Sequence, residues 1–430
     1  MVKAYRRGRG ISRMTRDDRE FSIVVFGATG DAGRAVCRYL ATKQGARPVK
    51  WAVAGRSKAK LETLVSSLGG SSAPSVLLAD ACDASSLLRI AERATLVFSA
   101  VGPYSRLGEP MVKACLVART HWADITGEVF WVGEMEAKHG EAAAAAGVTL
   151  TSLCGYDSVP CELSLHVARK ALKLGARHSE LLDAEAVTQL NVPEGGGAPA
   201  GTLLTVLTAL GSNALGLAKG YAAFARSNDE SAALWPVLRS MLGSLSLGWS
   251  PQAGCFTLAH FMFWCNVPVV HRSFGARGAN PLRFRDREQL PMPAAWWNLW
   301  HLLPALGLYA AIGLALPLFY LAALLPPLRA AAERRLAAYS YQGDASSSFA
   351  VLTRASCGKR AVDVTFACPG DPGIYGTALL AAECSLGLVD ATRRGALAPG
   401  FTTPAIALGD ALVDRLRAAG CTIEAKATQP

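Results

Sequence analysis

The feature that most constrains this chain is a loop with regularly spaced glycines, set between two apolar runs. Phe21 to Gly33 reads FSIVVFGATGDAG, and Trp51 to Ser57 reads WAVAGRS. Ile23, Val24, Val25 and Phe26 form a β-type run that enters a turn with glycines at 27, 30 and 33. A helix-compatible stretch follows, and a second apolar run ends at Gly55-Arg56-Ser57-Lys58. Strand, glycine loop, helix, strand is the order of a βαβ unit that binds a dinucleotide. A diphosphate needs backbone N–H groups aimed at it and no side chain in the way, and a helix N-terminus adds positive potential. Gly27, Ala28, Thr29 and Gly30 are expected to form that turn, with Gly33 letting the helix pack on the strand. The spacing is G-x-x-G-x-x-G rather than G-x-G-x-x-G, so the reading leans on the flanking strands.

The end of the second strand points to the kind of dinucleotide. An NAD site usually places Asp or Glu there to hold the ribose 2′-hydroxyl. Here Arg56, Ser57 and Lys58 stand instead. Guanidinium, hydroxyl and ammonium groups suit a 2′-phosphate, so NADP is expected rather than NAD. A solvated basic turn is the alternative reading of the same residues.

The α/β rhythm continues. Ser75–Asp80 reads as a third strand, with Asp80 where an adenine would lie. Thr95–Val101 reads as a fourth, breaking at Gly102-Pro103-Tyr104 at the carboxyl end, where open sheets bind ligands. Val101, Gly102 and Pro103 therefore join the cofactor-binding candidates. Trp122–Thr126 and Val148–Ser152 complete a sheet of about six strands, apolar throughout as when both faces carry helices. The expected fold class is α/β: a Rossmann-type doubly wound parallel sheet plus a second α+β domain carrying a long apolar helical segment. The expected division is a basic tail at 1–20, a nucleotide-binding domain at 21–155, a substrate or dimerisation domain at 156–395, and a C-terminal segment at 396–430 packing back on the core.

Several strings together resemble the saccharopine dehydrogenase-like oxidoreductases, relatives of the saccharopine reductases and of the mycobacterial trans-acting enoyl reductases. They are GATG at Gly27, WAVAGRS at Trp51, VGPY at Val101, GEPMVKAC at Gly108, DITGE at Asp124 and GYDSVP at Gly155, with Tyr375-Gly376-Thr377 and Gly400–Pro404 later in the chain. The resemblance spans roughly residues 20 to 424. It implies a nucleotide-binding first domain, a second α+β domain holding the substrate, and a lipid-related oxidoreductase associated with membranes or lipid droplets. Two positions depart from the pattern. Asp31 stands where the family commonly has an aromatic, and a carboxylate there either caps the helix or opposes the diphosphate. Tyr156 stands where the family often has Phe, which adds a hydroxyl near the expected cleft.

Composition narrows the partners. The chain has 430 residues, 51% of them hydrophobic, and a formal charge of +11. A basic balance fits nucleic acid, an anionic membrane surface or an anionic cofactor. With no zinc finger, RNP string or aromatic-basic alternation, nucleic acid is not expected as a partner. The 11 cysteines form no C-x-x-C pair and read as buried thiols in a reducing compartment, so no metal is expected. The first 20 residues lack an apolar core, which argues against a secretory signal; they read as a disordered basic tail, with a mitochondrial presequence as the alternative. A homodimer is among the expected assemblies.

Leu302 to Leu325 carries no charged side chain, and Trp296, Trp297 and Trp300 precede it. Roughly 24 helical residues are long enough to cross a bilayer. A single crossing would part the nucleotide domain from everything after Tyr339. Pro317 breaks the stretch, and arginines flank both ends (Arg283, Arg285 and Arg287 before; Arg329, Arg334 and Arg335 after). A hairpin or interfacial element on a cytosolic membrane face or lipid droplet is expected, with a buried core helix as the alternative.

In the second domain the sequence predicts a helix over Glu162–Leu174, a strand over Leu181–Leu190, and a loop at Pro193–Gly201 of the kind that closes over ligands. It also predicts a hairpin from Phe349–Thr353 and Ala361–Thr365, and helices over Tyr375–Thr392 and Ile406–Ala419. Hydride transfer asks for an oriented acceptor and a proton source. Reducing an enone puts negative charge on the enolate oxygen, which a hydrogen-bond donor stabilises, and then needs a proton at the α-carbon. Tyr104, Tyr156, Asp157 and Ser158 are the catalytic candidates, with Tyr156 or Ser158 as donor and Asp157 as positioner. A cofactor cradle or a domain-joining turn is the competing role for each. Two other functions stay open: a saccharopine-type reductase of amino-acid metabolism, whose polyanionic substrate needs several free cations, and a nucleotide-binding lipid-surface protein without catalysis.

Overall fold

A computed structural model describes residues 19–42, 49–69, 73–175, 179–191, 199–210, 220–221, 224, 230–275, 281–290, 307, 321, 324–339, 341 and 343–428. The first unit runs β1 (Phe21–Phe26), α1 (Asp31–Thr42), β2 (Trp51–Gly55), α2 (Lys58–Leu68), β3 (Ser75–Leu78), α3 (Ala84–Glu92) and β4 (Ala94–Ser99). It continues through α4 (Tyr104–Ala118), β5 (His121–Asp124), α5 (Val129–Ala146) and β6 (Thr149–Thr151). Its strands are apolar on both faces because helices cover both: Ile23, Val24, Val25, Leu96, Val97 and Phe98 have no exposed surface. Local chemistry sets the helix ends. The Ser57 hydroxyl accepts the N–H of Lys60 (3.4 Å) at the start of α2, and the Asp83 carboxylate accepts that of Ser85 (3.0 Å) at the start of α3. Gly147, in the left-handed region, ends α5.

The second unit contains α6 (Val159–Ala171), β7 (Leu182–Asn191), α7 (Ala200–Leu210), α8 (Glu230–Ser244), β8 (Gly248–Ser250), β9 (Cys255–Ala259), α9 (Phe263–Gly275) and β10 (Leu282–Gln289). Then come α10 (Pro326–Ala337) and the hairpin β11 (Ser348–Cys357) and β12 (Arg360–Pro369). A π-turn at Pro372–Gly376 leads into α11 (Thr377–Arg393), and the chain closes with β13 (Gly400–Thr402), α12 (Pro404–Ala407), α13 (Asp410–Ala418) and β14 (Thr422–Thr428).

Two seven-stranded sheets result. The first, β13-β6-β5-β4-β1-β2-β3, is parallel throughout. The second, β14-β12-β11-β7-β10-β9-β8, is antiparallel except for the β7–β10 pair. The expected α/β class with a mixed second domain is therefore what the chain builds. The tail of the chain serves both sheets. The β13 strand pairs with β6 and makes the first sheet one strand wider than expected, while β14 pairs with β12. Helix α11, grouped from sequence with the second domain, packs on α1 and on the strands of the first sheet.

In the sequence, Arg283, Arg285 and Arg287 read as positive charge flanking a membrane segment, and the structure corrects this. These residues lie on β10, whose alternation turns Leu282, Phe284 and Asp286 inward. Arg283 and Arg285 pair with Asp183, Arg285 also pairs with Glu185, and Arg287, itself buried, pairs with Glu185. Alternating charge on a strand is committed to its neighbour strand, not to lipid. The tail at 1–18, Trp296, Trp297, Trp300, most of Leu302–Leu325, and the expected loop apart from Pro199–Gly201 fall outside the described residues. Among the described residues one helical stretch, Pro372–Arg393, is long and apolar enough to cross a membrane, and it is buried in the core.

Candidate cofactor and substrate site

Strand order reverses between β1 and β4, so the crevice at their carboxyl ends is the topological switch point where ligands bind in such sheets. The glycine loop lies there. Gly27 adopts φ +84°, and a Cβ on it would stand 2.8 Å from Val101 Cγ2 and 3.1 Å from the Ala100 carbonyl carbon. A Cβ on Gly33 would stand 2.2 Å from the Gly27 carbonyl oxygen, so α1 begins directly against the turn. Ala28 is fully buried, while Thr29, Gly30 and Asp31 face the crevice. Bare backbone at the N-terminus of a twelve-residue helix fits a diphosphate. Asp31 forms an ion pair with Arg34, which offsets the acid that departs from the family pattern.

At the end of β2, Arg56 is exposed, Ser57 caps α2, and Lys58 lies 3.7 Å from Glu62. Asp80 shapes the turn after β3, its carboxylate accepting the N–H of Cys82 (2.9 Å). On the other side of the crevice, the Val101 N–H donates to Ser99 Oγ (3.3 Å), and Gly102 lines the cavity beside Pro103.

That cavity, of about 900 Å³, runs from the glycine loop into the second unit. Its far wall is largely apolar: Leu190 of β7, Leu204 of α7, Phe261, Met262 and Trp264 at the start of α9, and Leu336 of α10. Two cations line it among the described residues, and both are engaged: Arg34 with Asp31, and Arg106 with Glu333 (2.7 Å).

The four catalytic candidates separate. Tyr104 lines the cavity, but its hydroxyl donates to the Ser99 carbonyl (2.8 Å) and accepts the N–H of Ile125 (3.4 Å), so it braces the ends of β4 and β5. Ser158 is buried against Cys265 Sγ (3.6 Å) and does not line the cavity. Tyr156 and Asp157 do line it. Burial raises the Asp157 carboxyl to about 6, opposed by the neighbouring His260.

The Tyr156 hydroxyl is 2.9 Å from Nε2 of His260, the residue after β9. On the far side, His260 Nδ1 lies 3.0 Å from Oδ2 of Asp286 on β10, which also accepts a hydrogen bond from Asn266 Nδ2 (2.7 Å). All four side chains are at most 4% exposed. Burial opposes charge on His260, but Asp286 beside it, with Glu288 and Asp157, more than offsets this and raises its pKa. Burial first, then the Glu288 and Asp286 charges, push the Tyr156 phenol well up. Sequence reasoning missed His260, Asp286 and Asn266, which sit on separate elements with no shared spacing. Glu128 is visible there only as part of DITGE; its fully buried carboxylate caps α4 through the N–H groups of Tyr104 and Ser105.

Comparison with known proteins agrees with this geometry. The family described as "Saccharopine dehydrogenase NADP binding domain" matches residues 23–151. A Mycobacterium tuberculosis protein provisionally named a trans-acting enoyl reductase is 31% identical over 96% of this chain and 99% of its own length. The "Lipid droplet localized protein" of Caenorhabditis elegans is 34% identical over 44% of this chain and 45% of its own. Among solved structures, the saccharopine dehydrogenase (L-Glu forming) of Saccharomyces cerevisiae superposes with a TM-score of 0.55, covering 95% of this chain and all of that one at 14% identity, which shows a shared fold.

Proposed function

Because the chain belongs to the saccharopine dehydrogenase-like oxidoreductases, the family of the mycobacterial trans-acting enoyl reductases, and carries their NADP-binding domain, we propose that it reduces a lipid-type α,β-unsaturated or carbonyl substrate at a membrane or lipid-droplet surface. The observation that carries this reading is the continuous cavity joining the glycine-loop crevice to an apolar wall. A saccharopine-type substrate is a polyanion and needs free cations, whereas both arginines that line this cavity among the described residues are already paired with acids.

When bound, NADPH supplies a hydride equivalent. The chain supplies the rest. In the turn that Gly27 to Gly30 shape, the N–H of Thr29 and those at the start of α1 would hold the diphosphate, and Arg56 with Ser57 would hold the 2′-phosphate. The apolar wall excludes water and aligns an acyl chain, and Tyr156 offers its hydroxyl to the oxygen on which charge develops.

The lipid surface draws support from the far side of the cavity. Leu321, Leu324, Leu325 and Leu328, on either side of the helix break at Leu325, are 42 to 50% exposed. Leu325 precedes α10 and Leu328 lies in its first turn; further along the helix Arg334 and Arg335 are exposed and Leu336 lines the cavity. Exposed leucines followed by arginines suit an anionic lipid interface.

The test is NADPH oxidation by the full-length protein in mixed micelles, offered either a long-chain enone (3-pentadecen-2-one) or 2-aminoadipate semialdehyde with glutamate. Turnover of the enone alone supports the reading. Turnover of the amino-acid pair, or NADPH binding with no oxidation of either, overturns it.

A further inference from the structure

We propose that Tyr156, His260 and Asp286 form a proton relay in which the charge state of His260 decides where the Tyr156 hydroxyl points. The proposal rests on the reductase reading and extends it to how the proton is supplied.

The donors and acceptors around His260 assign its protons. Nδ1 lies 3.0 Å from Asp286 Oδ2 and 3.4 Å from Asn266 Nδ2; the nearer neighbour is a carboxylate oxygen, which accepts, so it places the hydrogen of His260 on Nδ1. Asn266 donates to the same oxygen and holds the carboxylate in place. Nε2 then has two states. In neutral imidazole it is an acceptor, and the tyrosine proton turns inward to fill it across the 2.9 Å contact. In imidazolium it is a donor, the phenol oxygen accepts from it, and the hydroxyl proton is released towards the cavity that Tyr156 lines. One proton on His260 thus converts Tyr156 from a closed donor into an open one. An edge-on Phe349 ring, 4.7 Å away between centroids, holds the phenol in position.

When a hydride equivalent supplied by a reduced nicotinamide reaches the carbonyl carbon, or the β-carbon of an enone, the substrate oxygen gains negative charge and takes the Tyr156 proton as that O–H bond breaks; from an enone this gives an enol, whose O–H proton is lost to water while the α-carbon takes one up to give the saturated ketone. The Nε2–H bond of His260 breaks and restores the phenol. Imidazolium becomes neutral imidazole, Asp286 keeps the Nδ1–H hydrogen bond, and water returns the lost proton after product leaves. Here Tyr156 is the catalytic residue, His260 relays, and Asp286 and Asn266 are positioning residues. The ionisable groups facing His260 are Tyr156 and Asp157 from the β6–α6 turn and Asp286 and Glu288 from β10. Three acids around one imidazole favour its charged form.

The test needs no substrate. The full-length protein with NADP+ is labelled with 15N in its histidine rings, and His260 is identified among the seven by its loss in His260→Gln. The expected result is an Nδ1–H tautomer that titrates above the ordinary histidine range, about 6.5. Its midpoint falls by about one pH unit or more in Asp286→Asn, and Tyr156→Phe, which keeps the ring packing, changes the Nε2 shift. An imidazole that stays neutral across roughly pH 5 to 9, or an Nε2 shift indifferent to Tyr156→Phe, overturns the relay. With the enone, His260→Gln is expected to lower kcat at least about tenfold with KM and NADPH affinity kept, and to abolish the decline in rate as pH rises through the His260 midpoint. A KM change with kcat intact overturns it. A wild-type protein that shows the titration but ignores the enone retains the relay and refutes the substrate assignment.

Discussion

The Glu128 carboxylate accepts hydrogen bonds from the backbone N–H groups of Tyr104 (2.7 Å) and Ser105 (3.0 Å), so an acid following β5 caps the helix that follows β4. Pro103, at the capping position, offers no side-chain bond of its own. Glu128→Ala leaves two N–H groups without a partner, at a cost of about 1 to 3 kcal/mol each. A loss of roughly 2 to 6 kcal/mol in urea unfolding is expected, with a smaller loss in Glu128→Gln, which keeps one acceptor oxygen. An unchanged midpoint in the alanine variant would remove Glu128 from the structural account of the crevice.

Gly33→Ala tests the cradle. The added methyl meets the Gly27 carbonyl oxygen at 2.2 Å, and backbone cannot yield as a flexible side chain does, so α1 must shift away from β1. NADPH affinity, read by fluorescence titration, is expected to fall by about tenfold or more, which corresponds to about 1.4 kcal/mol. Gly140→Ala, inside α5 with its nearest atom, Glu136 Cγ, in ordinary contact at 3.5 Å, is the control for affinity and is expected to leave it unchanged.

Arg56→Ala separates the two nicotinamide cofactors. A charge-assisted hydrogen bond contributes about 1.5 to 3 kcal/mol, so the NADPH dissociation constant is expected to rise by roughly 10- to 100-fold while that of NADH stays put. Equal weakening of both would mean that the guanidinium does not read the 2′-phosphate.

The first sheet was legible because parallel strands covered on both faces are continuous apolar runs, as Ile23–Phe26 and Trp51–Gly55 are. Gly400–Thr402 was not, since three residues carry no period and their partner, β6, lies far back in the sequence. Thr377–Arg393 reads as a helix, but one apolar on all sides does not say which sheet it covers. In the site, the glycine loop announces itself by spacing, and Tyr156 and Asp157 by their place after a strand. His260 and Asp286 meet only because β9 pairs with β10 and turns both inward, a consequence of strand register that no local window of sequence encodes.

Asp157 makes stability depend on pH in a stated direction. Burial lifts its carboxyl from 3.8 to about 6, so the folded state holds this proton more tightly than the unfolded chain. The contribution is fully present below the unfolded value and is lost as pH rises through about 6. A rise of that size corresponds to about 3 kcal/mol. Asp157→Asn is therefore expected to gain on wild type by about 1.4 kcal/mol as unfolding is measured from pH 5 towards pH 7.5, the rest of the difference falling between 3.8 and pH 5. Parallel stability profiles for the two proteins would show that Asp157 is hydrated in the cavity.

Replacing Leu321, Leu324, Leu325 and Leu328 together by serine tests the lipid surface. All four side chains are substantially exposed, so their removal has little packing to disturb, and NADPH affinity is expected to be kept. Each buried leucine is worth about 1.5 to 3 kcal/mol when it leaves water, so losing four of them is expected to abolish sedimentation with phosphatidylcholine–phosphatidylserine vesicles. The arginines that follow predict a salt dependence as well: raising the salt weakens binding of the wild-type protein, while purely apolar docking would be insensitive or strengthened. If the tetra-serine protein still sediments with the vesicles, these leucines are not the docking element.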